Sequence, residues 1–230
     1  NNYWRPATEL FREDRKEAKT IDKALAWLLA PNKVARPALI INLAKENAEG
    51  ILWNDKIQNL IIKRVLQKLV NVADYSFRVN KNLNTLVVID EAHRLAPRIE
   101  KDDESGKDGI TRTLVDAART TRKYGLGWMF ISQTLNSIHR EIIGQLRISF
   151  FGFGLSMGSE LQALKDFAGG EQKVLKLYQS FRDPHSAFSE ISRQYSFMTV
   201  GPISPLSFSG TPLFFTAFNS AEQFLKVNNL

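Results

Sequence analysis

The sequence predicts an α/β fold in which helices flank a mainly parallel β-sheet, with a β-rich appendage towards the C-terminus. Short apolar runs alternate along the chain with longer segments of helical periodicity. The runs are apolar at consecutive positions, which is typical of strands buried on both faces of a parallel sheet. The chain has 230 residues, 43% of them hydrophobic, and this is enough to bury a substantial core.

Four apolar runs are the predicted strands of the main sheet. The helix after the first run is the clearest, because Ile57, Ile61, Val65 and Leu69 repeat every four residues and share one face. Pro31 is expected to end the first helix. The predicted strands are 37–43, 83–89, 126–133 and 148–154, and the predicted helices are 8–29, 54–72, 110–123 and 138–146.

The pattern changes beyond residue 157, where short helices precede strands rich in Pro, Ser and Phe. The helices are expected at 160–167 and 171–181, and the strands at 186–191, 195–200 and 212–218. Residues 98–109 are charged and without period, which predicts a surface loop. We therefore divide the chain into an N-terminal helical segment (1–36), a core (37–156) and a C-terminal helical and β-strand extension of the same domain (157–230).

Composition excludes several classes of protein. There is no cysteine and there are three histidines, so disulfide frameworks, thiol nucleophiles and iron–sulfur clusters are ruled out. No apolar run reaches the roughly 18 residues of a membrane span. We expect a cytoplasmic protein. The net charge of +7 favours an anionic partner such as nucleic acid or nucleotide.

The strongest local signal is a buried strand that ends in two acids. Residues 86–89 are apolar, and Asp90 and Glu91 follow at the carboxyl end of the strand. This is the pattern of a Walker B motif, in which the first acid holds Mg²⁺ through water and the second orients or deprotonates the attacking water. The alternative is a strand end with two solvated acids.

A polar cluster follows the next predicted strand. Gln133 lies in a Ser-Gln-Thr run after apolar residues 126–131. Because parallel strands present their carboxyl ends at one edge of the sheet, Gln133 is expected beside Asp90 and Glu91. There it can contact the γ-phosphate or the attacking water. Alternatively, the cluster caps the following helix.

The helix between these strands carries a basic stripe on the face opposite its apolar side. The stripe consists of Arg112, Arg119, Arg122 and Lys123. An arginine near a subunit boundary can reach a neighbour's γ-phosphate, and Arg112 and Lys123 are candidates for contacts with DNA phosphates. A solvated helix face is the alternative.

The order of these motifs resembles the HerA-FtsK superfamily, and the HerA-like ATPases within it most closely. The resemblance covers roughly residues 37–218 and rests on segments 40–43, 86–97, 118–127, 131–133 and 196–202. It implies part of a RecA-like P-loop ATPase core of the ASCE type. It further implies a homo-hexameric ring that hydrolyses ATP to drive double-stranded DNA through its channel.

The resemblance also assigns roles to individual residues. Asp90 is the acid on the side of the magnesium ion, which it holds through water, and Glu91 is the catalytic base. Gln133 is the sensor that contacts the nucleotide, and Arg119 or Arg122 acts on the site of a neighbouring subunit. ATP and Mg²⁺ are the implied cofactors. A nuclease or another protein is a candidate partner.

The sequence departs from the family in one respect, because it contains no G-x-x-x-x-G-K-[ST] phosphate loop. In the family that loop lies upstream of the strand at 37–43, so we expect this chain to be the C-terminal part of a longer protein and to be inactive alone. Two alternatives stay open: a catalytically silent DNA-binding or scaffold module, and a conjugation or secretion ATPase of the same superfamily. The DEAH spelling of residues 90–93 also occurs in helicases, whose later motifs are absent here.

Overall fold

The computed structural model describes residues 20–29, 37–43, 54–98, 107–189, 193–205 and 211–229. The helices of this part are α1 (Ile21–Leu29), α2 (Asp55–Arg78), α3 (Lys107–Thr120), α4 (Arg140–Gln145), α5 (Gly158–Phe167), α6 (Gln172–Gln179) and α7 (Ala221–Val227). The strands are β1 (Thr85–Ile89), β2 (Leu126–Phe130), β3 (Ser149–Phe151), β4 (Tyr195–Val200) and β5 (Leu213–Ala217). Short 3₁₀ helices cover Ala92–Arg94, Thr121–Tyr124 and Pro184–Ser186.

The chain groups into two compact units. The first comprises Asn1–Ser132 with His139–Ile142, and the second comprises Gln133–Ile138 with Ile143–Leu230. The division into segments 1–36, 37–156 and 157–230 stays a prediction.

The first unit contains a parallel pair of strands, β1 and β2, flanked by helices. Helix α2 begins after Asn54, whose side chain accepts a hydrogen bond from the N–H of Ile57. This bond satisfies a backbone N–H group of the first turn that has no acceptor within the helix. Its apolar face packs on β2 through Leu69 and Ala73, which form a buried cluster with Leu126 and with Leu25 of α1. This arrangement confirms the predicted α/β class with a parallel sheet flanked by helices.

The second unit is built on an antiparallel sheet with the order β3-β4-β5. Phe151, Met198 and Phe214 are cross-strand partners on its inner face and belong to one apolar cluster together with Leu164 of α5. The hydroxyl of Tyr178 in α6 donates to the carbonyl of Gly152 and accepts from the N–H of Leu155 at 3.0 Å. These two bonds satisfy backbone groups that leave the sheet at the end of β3.

Several predicted elements are wrong. Residues 37–43 are described but are not a strand: Ile40 is 88% exposed, and the carbonyl of Leu43 accepts from the side-chain amide of Gln58 instead of a neighbouring strand. The strand predicted at 148–154 is real but short, and it pairs antiparallel with β4 because their apolar residues match across the pair. Residues 186–189 are not a strand.

Other differences concern element ends. Helix α2 continues to Arg78, and α7 was not predicted. The expected N-terminal helix is described only from Ile21, and the predicted loop at 98–109 lies mostly outside the described residues. Within the described part of the chain, no helix is both long and apolar enough to cross a membrane.

Candidate functional site

The candidate site lies where β1 and β2 end. The two strands pair in register from Thr85 opposite Leu126 to Ile89 opposite Phe130. Backbone hydrogen bonds continue beyond the strands, because the N–H of Ile131 donates to Ile89 at 2.9 Å and the N–H of Ala92 donates to Ile131 at 2.8 Å. The carboxyl end of β1 is therefore fixed beside the carboxyl end of β2, as expected for a site at one edge of a parallel sheet.

Asp90 and Glu91 form a tight turn at this edge. The carboxylate of Asp90 accepts a hydrogen bond from the N–H of Glu91 at 2.9 Å. Glu91 adopts the left-handed conformation, with φ of 49° and ψ of 43°, which is unfavourable for a residue with a side chain of this size. Such strain is found most often where function requires a particular side-chain position.

His93 lies between the ends of the two strands. Its Nδ1 atom is 3.2 Å from the hydroxyl oxygen of Ser132, the second residue after β2. The same atom is 3.5 Å from a carboxylate oxygen of Glu91. One imidazole nitrogen therefore faces both the predicted catalytic base and the polar cluster after β2.

The loop after β1 is held from two sides. The hydroxyl of Thr111 on α3 donates to the carbonyl of Leu95, and the N–H of His139 donates to the carbonyl of Ala96. Ala92 and Ala96 are fully buried, so the loop is packed against the unit rather than solvated. A fixed loop is what a catalytic carboxylate requires.

Three of the predicted basic residues line one concavity of about 440 Å³ at the C-terminal end of α3. Its lining consists of Arg119, Thr120, Arg122 and Lys123. Arg119 forms an ion pair with Glu141 at 2.6 Å, in which both side chains are 48% exposed. The ammonium group of Lys123 lies 5.1 Å and 5.6 Å from the ring centres of Tyr124 and Phe77.

The predicted basic residues Arg122 and Arg112 are both exposed. The guanidinium of Arg122 is exposed and makes no ion pair or hydrogen bond with the described residues. Arg112 is exposed on α3 but does not line the concavity. The predicted stripe is thus divided, since α3 ends at Thr120 and the chain continues as a 3₁₀ helix.

A buried hydroxyl fixes this change of direction. Thr121 is fully buried; its hydroxyl donates to the carbonyl of Ala117 and accepts from the indole N–H of Trp128 on β2. Gly125, with φ of 76°, then turns the chain into β2. The position of the basic residues is therefore tied to the sheet.

Gln133 is exposed and is the first residue of the second compact unit. Its place beside the two acids stays a prediction. Helix α4 begins only at Arg140, so the alternative in which the Ser-Gln-Thr run caps that helix is wrong. Glu160 of α5 was not predicted, although its carboxylate accepts from the N–H of Leu135 at 2.7 Å and of Asn136 at 3.3 Å.

The carboxylate of Asp90 is exposed at this edge. Mg²⁺ in phosphate-transfer sites is usually bound by one or two carboxylates, waters and substrate phosphates. No group of three acidic or histidine side chains that could hold a metal occurs among the described residues. The magnesium role of Asp90 stays a prediction.

Comparisons with known proteins identify only structural similarity. No known protein family and no curated protein matches the sequence. Similar solved structures include the genome packaging NTPase B204 from Sulfolobus turreted icosahedral virus 2. Its complex with AMPPCP matches 70% of this chain and 62% of its own, at 13% identity and a TM-score of 0.45. Its complex with ATP-gammaS matches 59% and 53%, at 14% identity and a TM-score of 0.40. The match thus spans between about half and two thirds of those chains.

Proposed function

We propose that this chain is part of a HerA-like, ATP-driven translocase of double-stranded DNA that acts as a homo-hexamer in the cytoplasm. Asp90 serves the magnesium ion through water, Glu91 activates the attacking water, and Gln133 senses the γ-phosphate. The observation that carries the proposal is the geometry at the sheet edge. The acids of β1 are fixed beside the end of β2, and Glu91 is kept there in a strained conformation.

The chemistry of the two acids follows from their positions. Asp90 is committed to the backbone of Glu91 through one carboxylate oxygen, which leaves its other oxygen for a water of the magnesium shell. Glu91 is one residue further along and points its carboxylate towards His93. A carboxylate in this position accepts a proton from water as the water attacks the γ-phosphate.

The ion pair of Arg119 supports Arg122 as the arginine that acts on a neighbouring subunit. Arg119 is engaged by Glu141 in its own chain, and recruiting it would break that pair. The guanidinium of Arg122 forms no comparable ion pair with the described residues. We therefore assign the trans-acting role to Arg122, and DNA phosphate contacts to Lys123 and Arg112.

The basic residues favour a second candidate function, a silent DNA-binding module. The charge of +7 and the basic concavity serve both candidates. The two candidate functions differ in whether they require Asp90 and Glu91. A silent module requires the basic residues for DNA binding and is indifferent to Glu91, whereas a motor requires both.

The test uses the full-length product of the gene that encodes this chain. Glu91→Gln is expected to keep ATP binding and to abolish DNA-stimulated ATP turnover, because the amide keeps the shape of the carboxylate but accepts no proton. Glu222→Gln is the matched control, since Glu222 is exposed on α7 and should leave turnover unchanged. Unaltered turnover in Glu91→Gln refutes the role of Glu91. A wild-type protein that binds DNA but neither binds nor hydrolyses ATP supports the silent module.

The trans role has its own test. Mixing Arg122→Ala subunits with subunits unable to bind ATP is expected to restore part of the turnover, since each mutant supplies what its neighbour lacks. Mixing Arg119→Ala subunits with the same ATP-binding-deficient subunits is expected to show no rescue of turnover. Both kinds of subunit still carry Arg122, so no trans-acting arginine is missing. Absence of rescue with Arg122→Ala contradicts the assignment.

A further inference from the structure

We propose that His93 is a positioning residue for Glu91: its Nδ1 atom bridges the Glu91 carboxylate to the Ser132 hydroxyl and thereby sets the base against the end of β2. The inference rests on the proposed role of Glu91 as the base. It adds a requirement that no motif of the sequence assigns, namely a side-chain connection between the two strand ends.

The bridge joins residues that are far apart in the chain and adjacent in space. His93 and Ser132 are separated by 39 positions, and their side chains meet at 3.2 Å because the parallel pairing places the ends of β1 and β2 together. On the other side, Glu91 approaches the same nitrogen at 3.5 Å. The imidazole and the carboxylate are 30% and 36% exposed, so water only partly screens their interaction.

The two contacts of Nδ1 fit the tautomer of His93 that carries its proton on Nδ1. If Nδ1 lacked a proton, its lone pair would face the negative oxygen of Glu91, and the two would repel each other. A proton on Nδ1 removes this repulsion, donates to the hydroxyl oxygen of Ser132 and presents a partial positive charge to Glu91. The hydroxyl of Ser132 is then the acceptor in this contact.

Glu91 needs such a partner because its backbone alone does not fix its carboxylate. The left-handed backbone and the hydrogen bond to Asp90 determine where the Cα atom lies. Beyond that atom a glutamate has three rotatable bonds, and a partly exposed side chain samples several rotamers. An attractive contact at the carboxylate favours the rotamer that points along the sheet edge, where a water bound for the γ-phosphate would lie.

The deciding experiment is a steady-state analysis of ATP turnover in the full-length gene product. His93→Ala is expected to lower kcat about 10- to 100-fold, as for a misplaced catalytic group. KM for ATP and the affinity for a non-hydrolysable ATP analogue should be unchanged, because Glu91 acts only in the chemical step. His93→Asn should recover most of kcat, since its amide N–H replaces the Nδ1 proton. His185→Asn is the matched control, because His185 is exposed in the second unit.

A second variant keeps the inference testable if His93→Ala does not fold. Ser132→Ala removes the hydroxyl that accepts from Nδ1, and it should lower kcat less than His93→Ala with the same unchanged KM.

The outcomes separate this inference from the proposed function. Normal turnover in Glu91→Gln overturns the role of Glu91 itself. If Glu91→Gln is inactive but His93→Ala and Ser132→Ala keep the wild-type kcat, only the bridge is overturned. A loss of kcat in His93→Ala that His93→Asn does not recover, or that comes with a matching rise in KM, also overturns it.

Discussion

Gly125 is the residue on which the alignment of β1 and β2 most depends, and replacing it tests how the site is built. Its φ of 76° is left-handed, and a Cβ atom there would lie 1.5 Å from the side-chain oxygen of Asn82. That oxygen accepts the N–H of Asn84 at 3.0 Å, directly before β1. Gly125→Ala therefore imposes about 1–2 kcal/mol of backbone strain and displaces a hydrogen bond worth about 0.5–1.5 kcal/mol.

The reduced entropy of the unfolded alanine chain offsets about 0.4–1 kcal/mol of this loss, so the free energy of unfolding should fall by about 2 kcal/mol. Urea unfolding followed by circular dichroism measures it. Gly127→Ala is the control, because its Cβ would make only ordinary contacts, with the side chain of Leu86 at 3.4 Å and the carbonyl oxygen of Thr85 at 3.8 Å. If Gly125→Ala and Gly127→Ala are equally stable, the turn does not constrain β2 as described.

Three further predictions concern the same chain. Tyr178→Phe should cost about 1–3 kcal/mol by leaving two backbone groups without the hydroxyl. Burial raises the pKa of Tyr178 above its usual 10.0, so the tyrosine ionises at lower pH in the unfolded chain than in the folded one, and the wild type should lose stability as the pH rises past 10. In Tyr178→Phe this loss should be smaller. Unfolding midpoints measured between pH 8 and 11 check both expectations. Leu164→Ala, at a fully buried position, should cost about 2–5 kcal/mol, and a loss below 1 kcal/mol would contradict its place in the core. Arg119→Ala should change stability by less than about 1 kcal/mol, because its ion pair with Glu141 is half exposed, and a larger loss at low salt would show a structural role.

The sequence predicted the elements that depend on local pattern. The four-residue spacing in α2 identifies a helix, and the apolar run that ends at Asp90 identifies a strand. Both signals depend only on residues that are close together in the sequence. The run at 37–43 failed for the opposite reason. Apolar residues such as Ile40 are compatible with a strand, but a strand also needs a neighbouring strand to pair with, and none of the described strands pairs with this segment.

The sequence also did not predict the direction in which β3 pairs. The apolar run that contains β3 resembles those of β1 and β2, and only its pairing with β4, in which Phe151 lies opposite Met198, makes it part of an antiparallel sheet. Residues that distant in sequence are related by packing, which a single sequence does not display.

Within the site, the acids were predictable and their surroundings were not. Asp90 and Glu91 follow an apolar run, whereas the approach of His93 to Ser132 depends on the register of two strands. A histidine two positions after the base and a serine two positions after the next strand were the available signals. Neither indicates contact until the parallel pairing is known.

The conformation of Glu91 offers a separate way to distinguish a functional acid from a solvated one. A glutamate at φ 49° is strained by about 1 kcal/mol or more, and glycine would adopt that conformation without strain. Glu91→Gly should therefore leave the stability of the chain unchanged or raise it by up to about 1 kcal/mol, while Glu91→Gln, which keeps the strain, should match the wild type. Chemical unfolding of the three proteins measures this. A loss of more than 1 kcal/mol in Glu91→Gly would mean that the glutamate stabilises the fold, and the strain would then need no functional explanation.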